Sequence, residues 1–182
     1  MSPQLNNNHT FRLGTLTGMV SLIGLVGCGE GMPDPTESAQ AALTGNNTSM
    51  FGPTTGTNDT HAGNHQTPVT KIFGYGSSAY VYGIKLFWGT SSQMFGNTNG
   101  TSAQEWNISG DPVYKVEYST SGGMVIGLRF TNSTSNLTLG NIASPGVAFN
   151  DEEAILTDME TWKGNQDGTI ITWATKFYYT TP

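Results

Sequence analysis

The chain has 182 residues, of which only 11% are charged, less than half of the roughly 25% that is usual for soluble domains. Its 24 glycines and its many threonine, serine and asparagine residues are poor helix formers, which argues against a helical bundle. Seven basic residues against 13 acidic ones give a net charge of −6, with no basic patch to neutralise phosphates. We therefore expect one turn-rich β domain that does not bind nucleic acid.

The amino-terminal run 13–27 is apolar or small, follows Arg12 and ends directly before Cys28. It is short for a membrane span of about 20 residues and typical of a signal-peptide core. Leu25-Val26-Gly27-Cys28 resembles the lipobox of bacterial lipoproteins, which implies removal of residues 1–27 and lipid on Cys28. An ordinary signal peptide with a chance cysteine, or a buried helix, is the alternative. Cys28 is the only cysteine, so no intrachain disulfide or cysteine-based zinc site can form.

Residues 28–50 combine prolines, glycines and a polar Asn-Asn-Thr-Ser run with few apolar side chains. Such a segment buries too little area to offset its ordering entropy, so we expect a disordered, lipidated tether. Gly29 follows Cys28 where an inner-membrane lipoprotein of some bacteria has aspartate. The sequence thus predicts a protein of the bacterial cell envelope, anchored at the outer membrane or cell surface, with a folded domain at 51–182.

Period-2 alternation of apolar residues, with aromatic and β-branched side chains, dominates the chain after Phe51. Gly, Asn and Ser punctuate these runs at strand spacing, and no segment has convincing helical periodicity. The pattern predicts an all-β sandwich, barrel or prism. The predicted strands lie at 69–73, 79–88, 104–108, 113–118, 124–130, 136–139, 147–149, 155–162 and 169–179.

The order of these strands resembles the jacalin-related lectins. The residues that carry the resemblance are a glycine-rich opening at 51–56, a hairpin at 69–73 and 82–88, a segment at 125–132 and a closing hairpin from Met159 through Gly168. The resemblance covers the whole predicted domain. It implies a jacalin-like β-prism of three Greek-key sheets that binds one sugar among the loops at one end.

The lectins of this family bind sugar through the opening glycine loop and a Gly-x-x-x-Asp motif in the last hairpin. Carried onto this chain, the resemblance implies carbohydrate-binding roles for Gly56, Asp167, Gly168, Thr169, Ile170 and Thr172. Thr172 stands where the family has its aspartate, and a hydroxyl cannot replace a charged acceptor with two oxygens. We expect weak family-type binding unless Asp167 substitutes, and we expect Thr172→Asp to strengthen it.

Other arrangements of reactive side chains give weaker signals. Asp59, His61 and His65 suit a metal only on a helix, and Gly63 makes a polar loop the better interpretation. The acidic run 150–153 lacks the ligand spacing of a calcium loop and indicates a solvated turn. We therefore predict no metal site and no cofactor.

No nucleophile–base pattern is visible in the sequence, so we expect no enzyme activity; the carboxylates Asp158, Glu160 and Asp167 leave a glycosidase as a distant alternative. Trp162 is the tryptophan placed to stack on a sugar, although core packing is the usual role of such a residue. The sequence therefore predicts a membrane-tethered carbohydrate-binding module. The alternative is a structural or protein-interaction lipoprotein that has lost its sugar site.

Overall fold

The computed structural model describes residues 44–60, 66–108 and 110–181, which form twelve β-strands in three four-stranded antiparallel sheets. The lipobox, Cys28 and the first part of the predicted tether lie outside the described residues. Among the residues that the structure describes, no helix is long and apolar enough to cross a bilayer.

The first sheet joins the two ends of the domain in the order β1-β12-β11-β2. Its strands are β1 at Thr44–Asn47, β2 at Thr57–Thr60, β11 at Ile155–Gln166 and β12 at Thr169–Thr181. The long hairpin β11–β12 forms the centre of this sheet and projects its tip beyond the flanking strands, because β2 pairs with β11 only from Glu160 to Lys163.

The second sheet has the order β5-β4-β3-β6 and the third the order β10-β7-β8-β9. The second consists of β3 at Lys71–Gly76, β4 at Val81–Trp88, β5 at Ser91–Gly96 and β6 at Gln104–Asn107. The third consists of β7 at Lys115–Ser121, β8 at Met124–Thr131, β9 at Asn136–Gly140 and β10 at Gly146–Asn150.

A central hairpin of consecutive strands flanked by two others recurs in each sheet, so the same Greek-key plan is used three times. This arrangement is a jacalin-like β-prism, and it confirms the fold expected from the sequence.

The inward faces of the three sheets share one apolar core. Phe130 of β8 and Phe177 of β12 meet edge to face with ring centroids 5.9 Å apart, so the third and first sheets interlock there. Ile84 and Leu86 of β4 add the second sheet to the same core and are fully buried. Burial of each such side chain contributes about 1.5–3 kcal/mol. This core fixes the strands whose connecting turns form the ends of the prism.

The sheet begins earlier than the sequence predicts. β1 pairs with β12 from Thr44↔Thr181 to Asn47↔Tyr178, inside the segment expected to be a disordered tether. Phe51 then exchanges two backbone hydrogen bonds of 2.9 Å with Thr175. The predicted boundary at 51 is therefore too late, and the folded domain includes Thr44. Backbone hydrogen bonds hold this edge strand in the sheet. Because they do not depend on apolar side chains, the sequence of the strand shows no hydrophobic alternation.

Candidate functional site

The tip of the β11–β12 hairpin presents a carboxylate. Asp167 and Gly168 have φ angles of 51° and 85°, which is the geometry of a two-residue type I′ turn. The Gly168 amide donates a 2.7 Å hydrogen bond to Oδ1 of Asn165, which fixes the turn. The exposed Asp167 carboxylate accepts a hydrogen bond of 3.2 Å from the Gln166 side-chain amide. This carboxylate keeps further acceptor positions for a ligand, since its two oxygens carry about four lone-pair sites.

The turn between β3 and β4 lies beside this tip. Oγ of Ser77 accepts hydrogen bonds of 3.2 Å from the amides of Ala79 and Tyr80, so one hydroxyl holds the turn closed. The Ser77 amide in turn donates to the Tyr80 carbonyl at 3.0 Å. Further along, the Tyr82 carbonyl accepts the Asn97 amide at 2.9 Å. The backbone of both tyrosines is therefore fixed independently of any ligand.

The two hairpins enclose a groove of about 270 Å³, which we call the tip groove. It is lined by Ser77, Ala79, Tyr80, Tyr82, Gln166, Asp167, Thr169 and Ile171. Its volume is slightly below the roughly 300–1,000 Å³ of ligand pockets, which suits one small ring.

The chemistry of the tip groove suits a neutral polyol. A carboxylate accepts hydrogen bonds from two adjacent hydroxyls, and hydroxyl side chains both donate and accept. Tyr80 and Tyr82 are half-buried and add aromatic surface with a polar end, against which the apolar face of a sugar ring packs. None of the described lining residues is basic, so an anionic group gains nothing in this groove.

The structure brings two of the six sequence-predicted site residues into the tip groove, namely Asp167 and Thr169. Gly168 is at the turn itself, but its amide is already bonded to Asn165 and is not a free donor. The Ile170 carbonyl accepts a hydrogen bond from the side-chain amide of Asn99, whose loop covers this part of β12.

Thr172 and Gly56 have packing roles away from the tip. Thr172 is fully buried opposite Lys163, and its hydroxyl donates to the Tyr82 carbonyl at 3.4 Å. Gly56 has a φ of +107°, and a Cβ there would lie 2.4 Å from the Lys163 carbonyl oxygen. The threonine at the family aspartate's position therefore offers no open acceptor to a ligand.

Sequence reasoning missed Ser77, Tyr80 and Tyr82 as site residues. The alternation pattern places Tyr80 and Tyr82 on one face of a strand, although only the second lies in β4. A bulge in the pairing of β3 with β4, between Tyr75 and Gly76, releases this segment from the regular ladder. The Gly-Ser-Ser sequence before the tyrosines was the available signal, since such residues mark a turn.

The clusters of acidic residues and histidines make structural contacts where the structure describes them. Asp59 lies in β2, where its carboxylate forms a 2.8 Å ion pair with Lys163 and accepts the Gly96 amide at 3.0 Å. His61 and His65 lie outside the described residues. In the run 150–153, Oδ1 of Asp151 accepts the Glu153 amide and forms a turn. Within the described ranges, no three histidine, cysteine or acidic side chains are grouped to hold a metal.

The remaining carboxylates and Trp162 do not join the tip groove. Asp158 is buried in β11, and Oδ1 accepts the Met159 amide at 2.7 Å. Glu160 accepts a hydrogen bond from the Tyr178 hydroxyl. Trp162 pairs with Ala174 and Asn58 within the first sheet.

Comparison with protein-family models and with curated proteins finds no match for this chain. Solved structures match it well. The Malaysian banana lectin superposes with a TM-score of 0.62 at 12% identity over 76% of this chain and 100% of that chain. AcmJRL, a mannose-binding jacalin-related lectin from Ananas comosus, gives 0.58 at 14% identity over 77% and 99%.

A third match is the biofilm matrix protein Bap1 of V. cholerae, with a TM-score of 0.51 at 16% identity. It covers 77% of this chain, which spans only 24% of that protein. These identities establish similarity of fold rather than of ligand. The three-sheet topology and the lectin matches together show that the described part of the chain has the jacalin-like β-prism fold of the jacalin-related lectins.

Proposed function

We propose that this protein is a carbohydrate-binding module that holds a single sugar residue in the tip groove. The observation that carries the proposal is the convergence of Asp167 and Thr169 with Tyr80 and Tyr82 around one small polar cavity. The lectin fold supports it, because neighbours of that fold include a mannose-binding protein and a lectin solved with a bisected glycan. In this account Asp167 supplies the charged acceptor that the family motif lacks here.

A glycan array followed by titration of the best neutral ligand tests the proposal. The array signal should be competed by a free monosaccharide, and Asp167→Asn should weaken binding about ten- to a hundred-fold, since a hydrogen bond to a charged group contributes about 1.5–3 kcal/mol. Asp151→Asn is the matched control, because Asp151 is an exposed turn carboxylate whose asparagine can still form the turn. Equal affinities of the wild type and Asp167→Asn would reject the groove.

We further propose that the module is tethered to a membrane of the bacterial envelope through lipid on Cys28. The support is the sequence Leu25-Val26-Gly27-Cys28 after an apolar run of signal-peptide length. One acyl chain anchors only marginally, whereas two or three hold a protein stably. The intact mass of the native protein should show a chain that begins at Cys28 and carries lipid, and Cys28→Ala should partition into the aqueous phase. An unmodified Cys28 contradicts this proposal.

A second candidate function is a structural or protein-interaction module without a sugar site. One observation favours it: the residue that stands in place of the family aspartate, Thr172, is buried and engaged with Tyr82. Capture of a protein partner that no sugar competes, combined with a blank glycan array, would establish this function in place of carbohydrate binding.

A further inference from the structure

The outer face of the second sheet carries an alternating set of cations and aromatic rings. Lys71 lies directly opposite Phe87, and Phe73 lies directly opposite Lys85, in the register of β3 with β4. All four side chains are half-buried and point away from the core, whose residues on these strands are the intervening Ile72, Ile84 and Leu86. We call these four residues the Lys–Phe face.

The ammonium groups of this face lie over the rings. Nζ of Lys71 is 5.0 Å from the centroid of Phe87 and 5.3 Å from that of Phe73. Nζ of Lys85 is 5.2 Å from the Phe87 centroid, and the two rings are tilted with centroids 4.9 Å apart. Cation–π contacts of this kind hold each lysine head above apolar surface and close to the sheet.

The charge on this face is incompletely neutralised. Glu105 of β6, opposite Phe73, pairs with Lys71 at 3.3 Å, and Lys85 forms no ion pair with any described residue. The third sheet differs, because both of its cations, Lys115 and Arg129, share the buried carboxylate of Glu117. The Lys–Phe face therefore offers an accessible positive charge in a chain whose net charge is −6.

We infer that the Lys–Phe face binds an acidic polysaccharide, with Lys85 and Lys71 pairing with its carboxylate groups while the phenylalanine rings beneath them hold the two ammonium groups in place. Successive outward side chains of a strand lie about 6.8 Å apart, so β3 and β4 present a repeating pattern to a repeating polymer. β3 leads from Lys71 to the turn at Ser77 that lines the tip groove. The inference rests on the proposed function and adds a second carbohydrate ligand, an acidic chain that binds outside the tip groove.

A membrane surface is a poorer partner for the same face. Insertion into a bilayer needs apolar side chains that protrude from the surface, as aromatic residues do at membrane interfaces. Phe73 and Phe87 are instead half-buried beneath lysine heads, so they do not protrude far enough to enter a bilayer.

Binding of the full-length protein to polygalacturonate, compared with neutral dextran, tests this inference. We expect the wild type to bind polygalacturonate more tightly than dextran. Lys85→Gln should weaken polygalacturonate binding about ten-fold and reduce its salt dependence, whereas Lys85→Arg should retain most of the affinity. Lys176→Gln is the matched control, because Nζ of Lys176 also lies over an aromatic ring, 4.8 Å from Tyr178, on another sheet. It should leave binding unchanged.

Several results would overturn the inference. One is an equal loss of polygalacturonate affinity in Lys176→Gln and Lys85→Gln, which would indicate general charge attraction. Another is equal affinity of the wild type for polygalacturonate and dextran. Lysine-dependent binding to phosphatidylglycerol vesicles without polygalacturonate binding would assign the face to lipid. If a neutral array glycan binds and polygalacturonate does not, the proposed function stands and this inference fails. If no carbohydrate binds at all, both fail.

Discussion

At the residue scale, Thr172 shows how burial decides the effect of a substitution. The family pattern predicts that Thr172→Asp restores a sugar acceptor, yet this side chain is fully buried in β12 and bonded to the Tyr82 carbonyl. An aspartate there would be a buried carboxylate, and the cation opposite it, Lys163, is already paired with Asp59. An uncompensated buried charge of this kind costs about 3 kcal/mol or more. We expect Thr172→Asp to lower the free energy of unfolding without strengthening binding, as chemical denaturation and titration would show. Tighter sugar binding with unchanged stability would contradict this placement.

A second residue-scale prediction concerns Gly164. A Cβ at this position would lie 2.3 Å from the indole ring of Trp173, so only glycine lets the ring pack against β11. Trp173 is the extra residue of a bulge, since Trp162 pairs with Ala174 and Lys163 with Thr172. Gly164→Ala should destabilise the domain by about 1–3 kcal/mol through overpacking. Thermal unfolding measures this effect. Gly89→Ala is the control for backbone strain, because φ at Gly89 is +61° but a Cβ there meets open space. Comparing the two variants separates a steric clash from backbone strain.

At the scale of the element, β1 sets the limit of the folded domain. Thr48 joins this edge to β12, because its amide donates to the Phe177 carbonyl at 3.0 Å and its Oγ1 accepts the Phe177 amide at 3.1 Å. Phe51 stacks on Tyr118 of the third sheet with ring centroids 4.0 Å apart. We therefore expect limited proteolysis to leave a stable fragment that begins at or before Thr44. A stable fragment that begins between Ser49 and Gly56 would restore the boundary predicted from the sequence.

The strands that sequence patterns predict are those with buried apolar side chains. The patterns find nine strands, most clearly the longer ones, because alternation of large apolar residues reports burial on one face. The strands found are β3, β4, β6, β7, β8, β9, β10, β11 and β12. They miss β1, β2 and β5, since Thr-Gly-Asn-Asn, Thr-Asn-Asp-Thr and Ser-Ser-Gln-Met-Phe-Gly carry little or no such signal. Backbone pairing with a stronger neighbour forms these edge strands, and no local pattern encodes that pairing.

Bulges account for the errors within correctly predicted strands. The alternation along residues 169–179 predicts that Ile171, Trp173 and Phe177 share one face of the strand, and the bulge at Trp173 breaks that face. The residues of the candidate site also differ in how far the sequence predicts them. The position of Asp167 at a turn was predictable because Asp-Gly marks a turn. Tyr80 and Tyr82, in contrast, reach the groove only because two hairpins contact each other. Contacts between elements that are distant in the sequence can be predicted only when the topology of the fold is known.

At the scale of the whole molecule, Tyr178 couples folding to alkaline pH. Burial and its hydrogen bond to Glu160, together with the negative charge of Glu160, raise the pKa of Tyr178 above its ordinary value. In the unfolded chain a tyrosine has a pKa of about 10, so above that pH the unfolded chain releases a proton that the folded chain retains. The contribution of Tyr178 to the free energy of unfolding is therefore fully present below about pH 10 and decreases as the pH rises further. Tyr178→Phe should make the loss of unfolding free energy at alkaline pH shallower, and an unchanged slope would assign the loss to other groups.

The prism as a whole places two surfaces on connected strands: the tip groove between two hairpins and the Lys–Phe face on the second sheet. The central claim is that the tip groove holds the sugar. Titration of the isotopically labelled protein with its best array ligand, followed by NMR, tests it most directly. The account predicts that the largest shifts occur at Tyr80, Tyr82, Asp167 and Thr169, and that Asp167→Asn strongly reduces them at a ligand concentration near the wild-type Kd. Largest shifts at the separate cavity of about 410 Å³ lined by Asp111, Tyr114 and Glu152, with the tip groove unperturbed, would contradict it.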